Sequence, residues 1–155
     1  MKKSCGICGG PNQATTIEKS GEYAPVKIGV RGMPAAKCSH GHFSPVEPEF
    51  MLWLIHELKD KQTTLAAGNE SGMLFFKKYT CACGAALADK SERRQSFPLE
   101  LAYEGFPAFM AEVEAPVYKC TGCGKEQLRS HNAVRSHTSQ AVARLHDAAG
   151  FPHAG

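Results

Sequence analysis

The chain has 155 residues, 43% of them apolar and 21% charged, with a net charge of +3. That composition is globular and excludes wholesale disorder, while so small a net charge selects no class of partner. The longest unbroken apolar run, Phe50 to Ile55, is far shorter than the roughly 20 residues that span a bilayer. No transmembrane helix is therefore expected, and Lys2-Lys3 is not followed by the apolar stretch of a signal peptide. Fifteen glycines and nine prolines favour turns and short elements over one large core.

In chain order, Cys5-x2-Cys8-Gly9 comes first and reads as a zinc knuckle, a tight turn whose glycine tolerates positive φ. Thr15 to Glu18 and Tyr23 to Val30 are the first strand candidates, with Ser20-Gly21 as their turn. A lone Cys38 follows, with His40 and His42 close behind. Glu47-Pro48-Glu49 then opens a helix, since proline suits the first helical position and acids suit the first turn. Its apolar stripe runs through Met51, Leu54, Ile55, Leu58 and Leu65, widened by Phe50 and Trp53, and Gly68 marks its stop. Asn69 to Gly72 is the natural boundary, dividing the chain into domains 1–70 and 71–155.

The second domain begins with Met73 to Phe76 as a strand leading to Cys81-x-Cys83-Gly84. Leu99, Leu101 and Tyr103 alternate with Glu100 and Glu104, and Phe109, Ala111 and Val113 alternate with Glu112 and Glu114. With Gly105-Phe106-Pro107 between them these two runs predict a hairpin with one acidic face. Cys120-x2-Cys123-Gly124 closes the unit. A second helix starts between Ser130 and Ser136 and runs to Ala149, with Val134, Ala141, Val142, Leu145 and Ala148 as its stripe. The expected fold is small α+β: two tandem zinc ribbons, each a β-hairpin between knuckles and each followed by a helix. Gly32-Met33-Pro34-Ala35 and Gly105-Phe106-Pro107-Ala108 hint at duplication, but their distances to the next cysteine differ.

The cysteines carry the chemistry. Seven is an odd number, and nothing directs the chain to an oxidising compartment, so a disulfide framework is not expected and a cytoplasmic setting is. Seven thiolates and one imidazole instead make eight ligands, the complement of two tetrahedral zinc ions. The first set is Cys5, Cys8, Cys38 and a histidine; the second is Cys81, Cys83, Cys120 and Cys123. His42 is preferred as the histidine, although His40-Gly41 would mimic Cys83-Gly84. Four protein ligands close a tetrahedron and leave no position for water, so both zinc ions are expected to be structural. His56-Glu57 resembles the opening of a zinc-protease helix, but aspartate stands where the second histidine would be. No nucleophile elbow, phosphate-binding glycine loop or deaminase signature occurs, and the expectation is a protein without catalytic activity.

The residues Cys5-Gly6-Ile7-Cys8-Gly9, Val26-Lys27-Ile28-Gly29-Val30 and Gly32-Met33-Pro34-Ala35-Ala36-Lys37-Cys38 carry a family likeness. Over about residues 5–47 the chain resembles the MqsA, or YgiT-type, zinc-finger antitoxin group of bacteria. The resemblance implies a hairpin between two knuckles around one zinc, available to a toxin, and a bacterial regulatory protein. The chain departs from the group after Cys38, where histidines replace a cysteine, and again after the first helix. A second ribbon follows there instead of a DNA-binding helix-turn-helix, so no DNA-contacting residue is carried over.

Three functions compete. The first is an adaptor or regulator binding a protein partner, with Trp53 on the broad stripe of the first helix as the candidate anchor. Nucleic-acid binding is the second, resting on Arg129, Arg135 and Arg144 within a basic C-terminal stretch that lacks interleaved aromatics before Phe151. A metal-handling or assembly accessory role is the third, suggested by the seven histidines. Membrane association is not expected, and the oligomeric state is left open.

Overall fold

The computed structural model describes residues 1–73 and 75–153. Its elements in order are β1 (Asn12–Tyr23), β2 (Val26–Cys38), β3 (Phe43–Pro45), α1 (Phe50–Gln62) and β4 (Asn69–Ser71). There follow β5 (Lys78–Thr80), β6 (Arg93–Leu101), β7 (Phe109–Lys119), β8 (Glu126–Gln127) and α2 (His131–Ala148). The fold is α+β, an antiparallel sheet covered by helices. β1–β2 and β6–β7 are hairpins, and β2 pairs with β7, giving the order β1-β2-β7-β6 with β3 beside β2 and β8 beside β7. The two predicted halves thus share one sheet, and the predicted boundary at 70/71 falls inside the small β4–β5 hairpin.

The pairing of β2 with β7 joins two strands with matching buried faces. Val26, Ile28 and Val30 on one strand and Ala111, Val113 and Ala115 on the other are buried at every second position, the period of a pleated strand with one face on a core. That face meets α1 and α2 in a single cluster that takes in Phe50, Leu54, Leu58, Val134, Ala141, Val142 and Leu145. The opposite face is open. Lys27 stands opposite Glu114 and Gly29 opposite Glu112, so the expected acidic face is a mixed one, with Glu104 outside the strands. Gly29 has no side chain to fill its position, and a shallow groove of about 350 Å³ lies there between Lys27, Arg31, Ser96 and Glu112.

Several boundaries differ from the sequence reading, some for a local reason and some for a non-local one. Ser20-Gly21 is not a turn; β1 continues to Tyr23 and the reversal comes at Ala24-Pro25. Gly21 is required by packing instead: a Cβ there would sit 2.2 Å from the backbone oxygen of Ala141 and from the nitrogen of Leu145 in α2. α1 stops at Gln62, not near Gly68, because the Thr63 and Thr64 hydroxyls donate to the carbonyls of Asp60 and Lys61 at 2.6 and 2.7 Å. Leu65 therefore lies outside the helix. Gly68 instead lets the chain pass Arg129, whose carbonyl oxygen would be 2.6 Å from a Cβ. Met73, Phe75 and Phe76 lie not in a strand but at the tip between β4 and β5, and Leu74 lies outside the described residues. β6 ends at Leu101, leaving Tyr103 in the turn. The two Gly-x-Pro-Ala runs occupy different places. Gly32 has φ +73 within β2, at the irregularity that opposes Ile17 and Glu18, whereas Gly105 lies in the β6–β7 turn.

α2 begins at His131, inside the predicted window, with the Ser130 hydroxyl accepting from the Ala133 amide at 3.0 Å. The helices are tied where Gln62 Nε2 donates to Thr138 Oγ1 at 2.9 Å, both residues fully buried. Thr138 in turn donates to the Val134 carbonyl. None of the described helices is long and apolar enough to cross a membrane.

Candidate metal centres

The strands deliver the cysteines to opposite ends of the sheet. The pairing of β2 with β7 is centred on Gly29 and Glu112. Cys38 ends β2 and Cys120 follows β7, so antiparallel strands carry them in opposite directions. At about 3.3 Å per residue the two ends lie roughly 50 Å apart along the strands.

At the first end the Cys5–Gly9 turn is closed by the Gly9 amide donating to the Cys5 carbonyl at 2.9 Å, with Gly9 at φ +73. Facing it, Gly41 at φ +86 turns the chain after Cys38 so that the Cys38 amide donates to the His42 carbonyl at 3.0 Å. These turns bring Cys5, Cys8, Cys38 and His42 together with all ligand atoms within 4.8 Å of one another. Cys8 and Cys38 sulfurs are 3.7 Å apart, and His42 Nδ1 is 3.4 Å from Cys38 and 3.8 Å from Cys5. His40 stands beside this group, its Nδ1 3.4 Å from the Cys8 sulfur, and is exposed.

The second end repeats the construction with four sulfurs. The Gly84 amide donates to the Cys81 carbonyl and the Gly124 amide to the Cys120 carbonyl, at φ +94 and +76. Cys81, Cys83, Cys120 and Cys123 converge within the same 4.8 Å limit. Cys81 lies 3.7 Å from Cys123 and Cys83 lies 3.4 Å from Cys120. A tetrahedral zinc with sulfur ligands at about 2.3 Å requires sulfur separations of about 3.8 Å. A disulfide requires about 2.05 Å, and all seven cysteines are free. Both groups therefore have the dimensions of a tetrahedral metal site.

Hydrogen bonds prepare the sulfurs unequally. The backbone amides of Cys8 and Ile7 hold the Cys5 thiol down at about 6. Cys81 is likewise lowered to about 6, by the backbone amide of Cys83 and then by the side-chain amide of Gln127. The Cys123 amide lowers Cys120. At Cys83 the Ala85 amide also works downward, but the neighbouring Cys120 and Cys81 thiols and burial outweigh it and push the group up to about 11. The Cys5–Cys8 and Cys81–Cys83 pairs thus each hold one thiolate ready at neutral pH beside a raised thiol that must release a proton to bind metal. Gln127 was not singled out by the sequence; it is 3% exposed and donates to Cys81 at 3.3 Å. Its only signal is a lone amide close behind a knuckle.

The candidate partner-binding residues are dispersed. Trp53 is half-buried and packs on Tyr103 at 4.9 Å and on Phe50 at 5.3 Å between ring centroids. Arg129 is engaged inside the fold: its guanidinium stacks over Tyr118 and Tyr79 and donates to the Asp89 carbonyl at 3.0 Å. Arg135 and Arg144 are both exposed, but they lie nine residues, about two and a half turns, apart, which sets them on opposite flanks of α2. His56 is exposed and belongs to neither ligand group.

Among the described residues, the large apolar side chains that are most exposed lie elsewhere. Met73, Phe75 and Phe76 are 83, 90 and 80% exposed at the β4–β5 tip. No family model, curated protein or solved structure matches the chain.

Proposed function

We propose that the chain is a recognition module whose two ends are closed by structural zinc ions and which docks on a protein partner through the β4–β5 tip. The donor sets, three thiolates with one imidazole and four thiolates, are those that zinc favours. With four protein ligands each ion would hold the chain rather than act on a substrate, so the reading is binding rather than catalysis.

The exposed tip carries the reading. Burying a large apolar side chain stabilises by about 1.5–3 kcal/mol, so three left in solvent on one loop mark a surface that another molecule covers. The tip is also built. Gly72 at φ +98 folds it so tightly that a Cβ would lie 2.1 Å from the Phe76 carbonyl oxygen, and Lys77 pairs with Glu70 at 3.5 Å across its base. β5 runs straight into Cys81, and the Leu87 amide donates to the Tyr79 carbonyl at 3.0 Å, so the second metal centre anchors the tip. With Lys77 engaged, Lys78 is the one other cation on this hairpin, which favours an apolar pocket on a protein over an anionic surface. Antitoxin-like regulation, suggested by the N-terminal likeness, is one setting for such a module. The nucleic-acid reading draws less support, because Arg129 is engaged by Tyr118, Tyr79 and Asp89 of its own chain and Arg135 and Arg144 diverge.

A photo-crosslinking residue at position 75, introduced into the chain in its native cell, tests the proposal. One reproducible protein adduct is expected, lost with Phe76→Asp and weakened by the Cys120→Ser loss of the second metal. Absence of an adduct at position 75, together with a strong one from position 27 on the open sheet face, would refute it.

A further inference from the structure

We infer a third metal site at the C-terminal end of α2, formed by His146, Asp147 and His153, that takes an exchangeable divalent transition-metal ion. The site is distinct from the two thiolate sets and does not depend on the reading of the chain as a partner-binding module.

The backbone makes the site. α2 ends at Ala148, and Gly150 at φ +72 reverses the chain, its amide donating to the Asp147 carbonyl at 3.0 Å. The Phe151 amide then donates to the His146 carbonyl at 3.2 Å, and the Phe151 ring is 3% exposed. That buried anchor returns the following residues over the last turn of the helix. His153 Nε2 comes to 3.1 Å from Asp147 Oδ1, and His146 Nδ1 lies 4.0 Å from the same oxygen. The His146 ring packs edge-on against Phe151 with centroids 5.5 Å apart, which fixes its orientation. One donor atom from each of the three residues falls within 4.8 Å of the other two.

Two imidazoles and a carboxylate suit zinc, nickel, cobalt or copper, whereas calcium and magnesium prefer oxygen alone. Three protein ligands leave coordination positions for water or for an outside group, so this ion exchanges where the four-ligand sites hold theirs. The carboxylate also lowers the cost of placing a dication next to two neutral rings. Asp147 and His153 are more than half exposed, so a metal reaches them directly from solvent.

Nickel titration of the zinc-loaded full chain, followed by calorimetry and by elemental analysis after desalting, tests the inference. One nickel per chain is expected to bind with both zinc ions retained, and His153→Ala or Asp147→Asn should weaken it at least tenfold. Both replacements are at exposed positions and should keep the zinc content and the circular dichroism of the parent. His56→Ala should leave nickel binding unchanged. No uptake of nickel, or uptake undiminished by His153→Ala, would overturn the inference.

Discussion

At the scale of single residues the two histidines after Cys38 are chemically alike and positionally different. His42 Nδ1 joins the sulfur group, while His40 Nδ1 faces Cys8 from outside it. His42→Ala should therefore lower zinc affinity at this end by one to several orders of magnitude. His40→Ala should lower it by no more than about tenfold to a hundredfold, as for a residue that only orients a ligand. Competition with a chromophoric chelator measures both, and a larger loss in His40→Ala would reverse the assignment. The spacing of the cysteines was enough to group them as the fold groups them. The choice between two histidines two residues apart depended on the turn at Gly41, which spacing alone does not specify.

A second residue-level prediction concerns Tyr103, whose hydroxyl donates to Glu47 at 2.6 Å and ties the β6–β7 turn to the segment before α1. The hydrogen bond from Tyr103, and a further one involving Glu49, lower the Glu47 carboxyl, and Glu47 in turn raises the Tyr103 phenol. A carboxyl lowered by folding stabilises above its ordinary value of 4.5, and the contribution is lost as pH falls below it. A phenol raised by folding stabilises below its ordinary value of 10.0, with loss as pH rises beyond it. Tyr103→Phe should thus be less stable than the parent in urea at pH 7, with the gap narrowing toward pH 3. A constant gap across that range would show that packing, not the hydrogen bond, is what the substitution removes.

At the scale of elements, strands and helices were legible where their pattern is local. β7 buries Phe109, Ala111, Val113, Ala115 and Val117 in strict alternation, and α2 buries Val134, Thr138, Ala141, Val142 and Leu145 at helical spacing. Boundaries set by distant neighbours were not legible. Ser20-Gly21 has the local chemistry of a turn, but Gly21 lies under the backbone of α2, more than a hundred residues away in the chain. Met73 to Phe76 has the composition of a strand, yet among the described residues Met73, Phe75 and Phe76 have no strand partner, and the β4–β5 pairing stops at Ser71 and Lys78. Gly21→Ala tests the first point. Its Cβ would meet backbone at 2.2 Å, which a side-chain rotation cannot relieve. The cost should reach or exceed about 3 kcal/mol, the upper end for overpacking, read from chemical denaturation. A cost below about 1 kcal/mol would mean that α2 is free to shift away from β1.

At the scale of the whole molecule, two hairpins joined edge to edge form one core, and the two ligand groups sit at its ends. The joining of β2 to β7 had no signature in the sequence, because either strand could have been an edge. In the fold their inward positions are buried alike. The central cluster contains none of the eight ligand residues, and Cys81 and Cys120 belong to a small separate cluster with Leu87. The core and the ends are therefore structurally distinct: apolar burial holds the sheet to its helices, and under the proposed reading metal would hold the knuckles and the tip that extends from one of them. The measurement that tests this most directly is zinc content with X-ray absorption at the zinc edge, on protein purified without added metal and stripped of loosely held ions. The account predicts two zinc ions per chain, each four-coordinate, with seven sulfurs and one nitrogen in total over the two shells. Well-folded protein with no zinc, or a shell rich in oxygen, would contradict it.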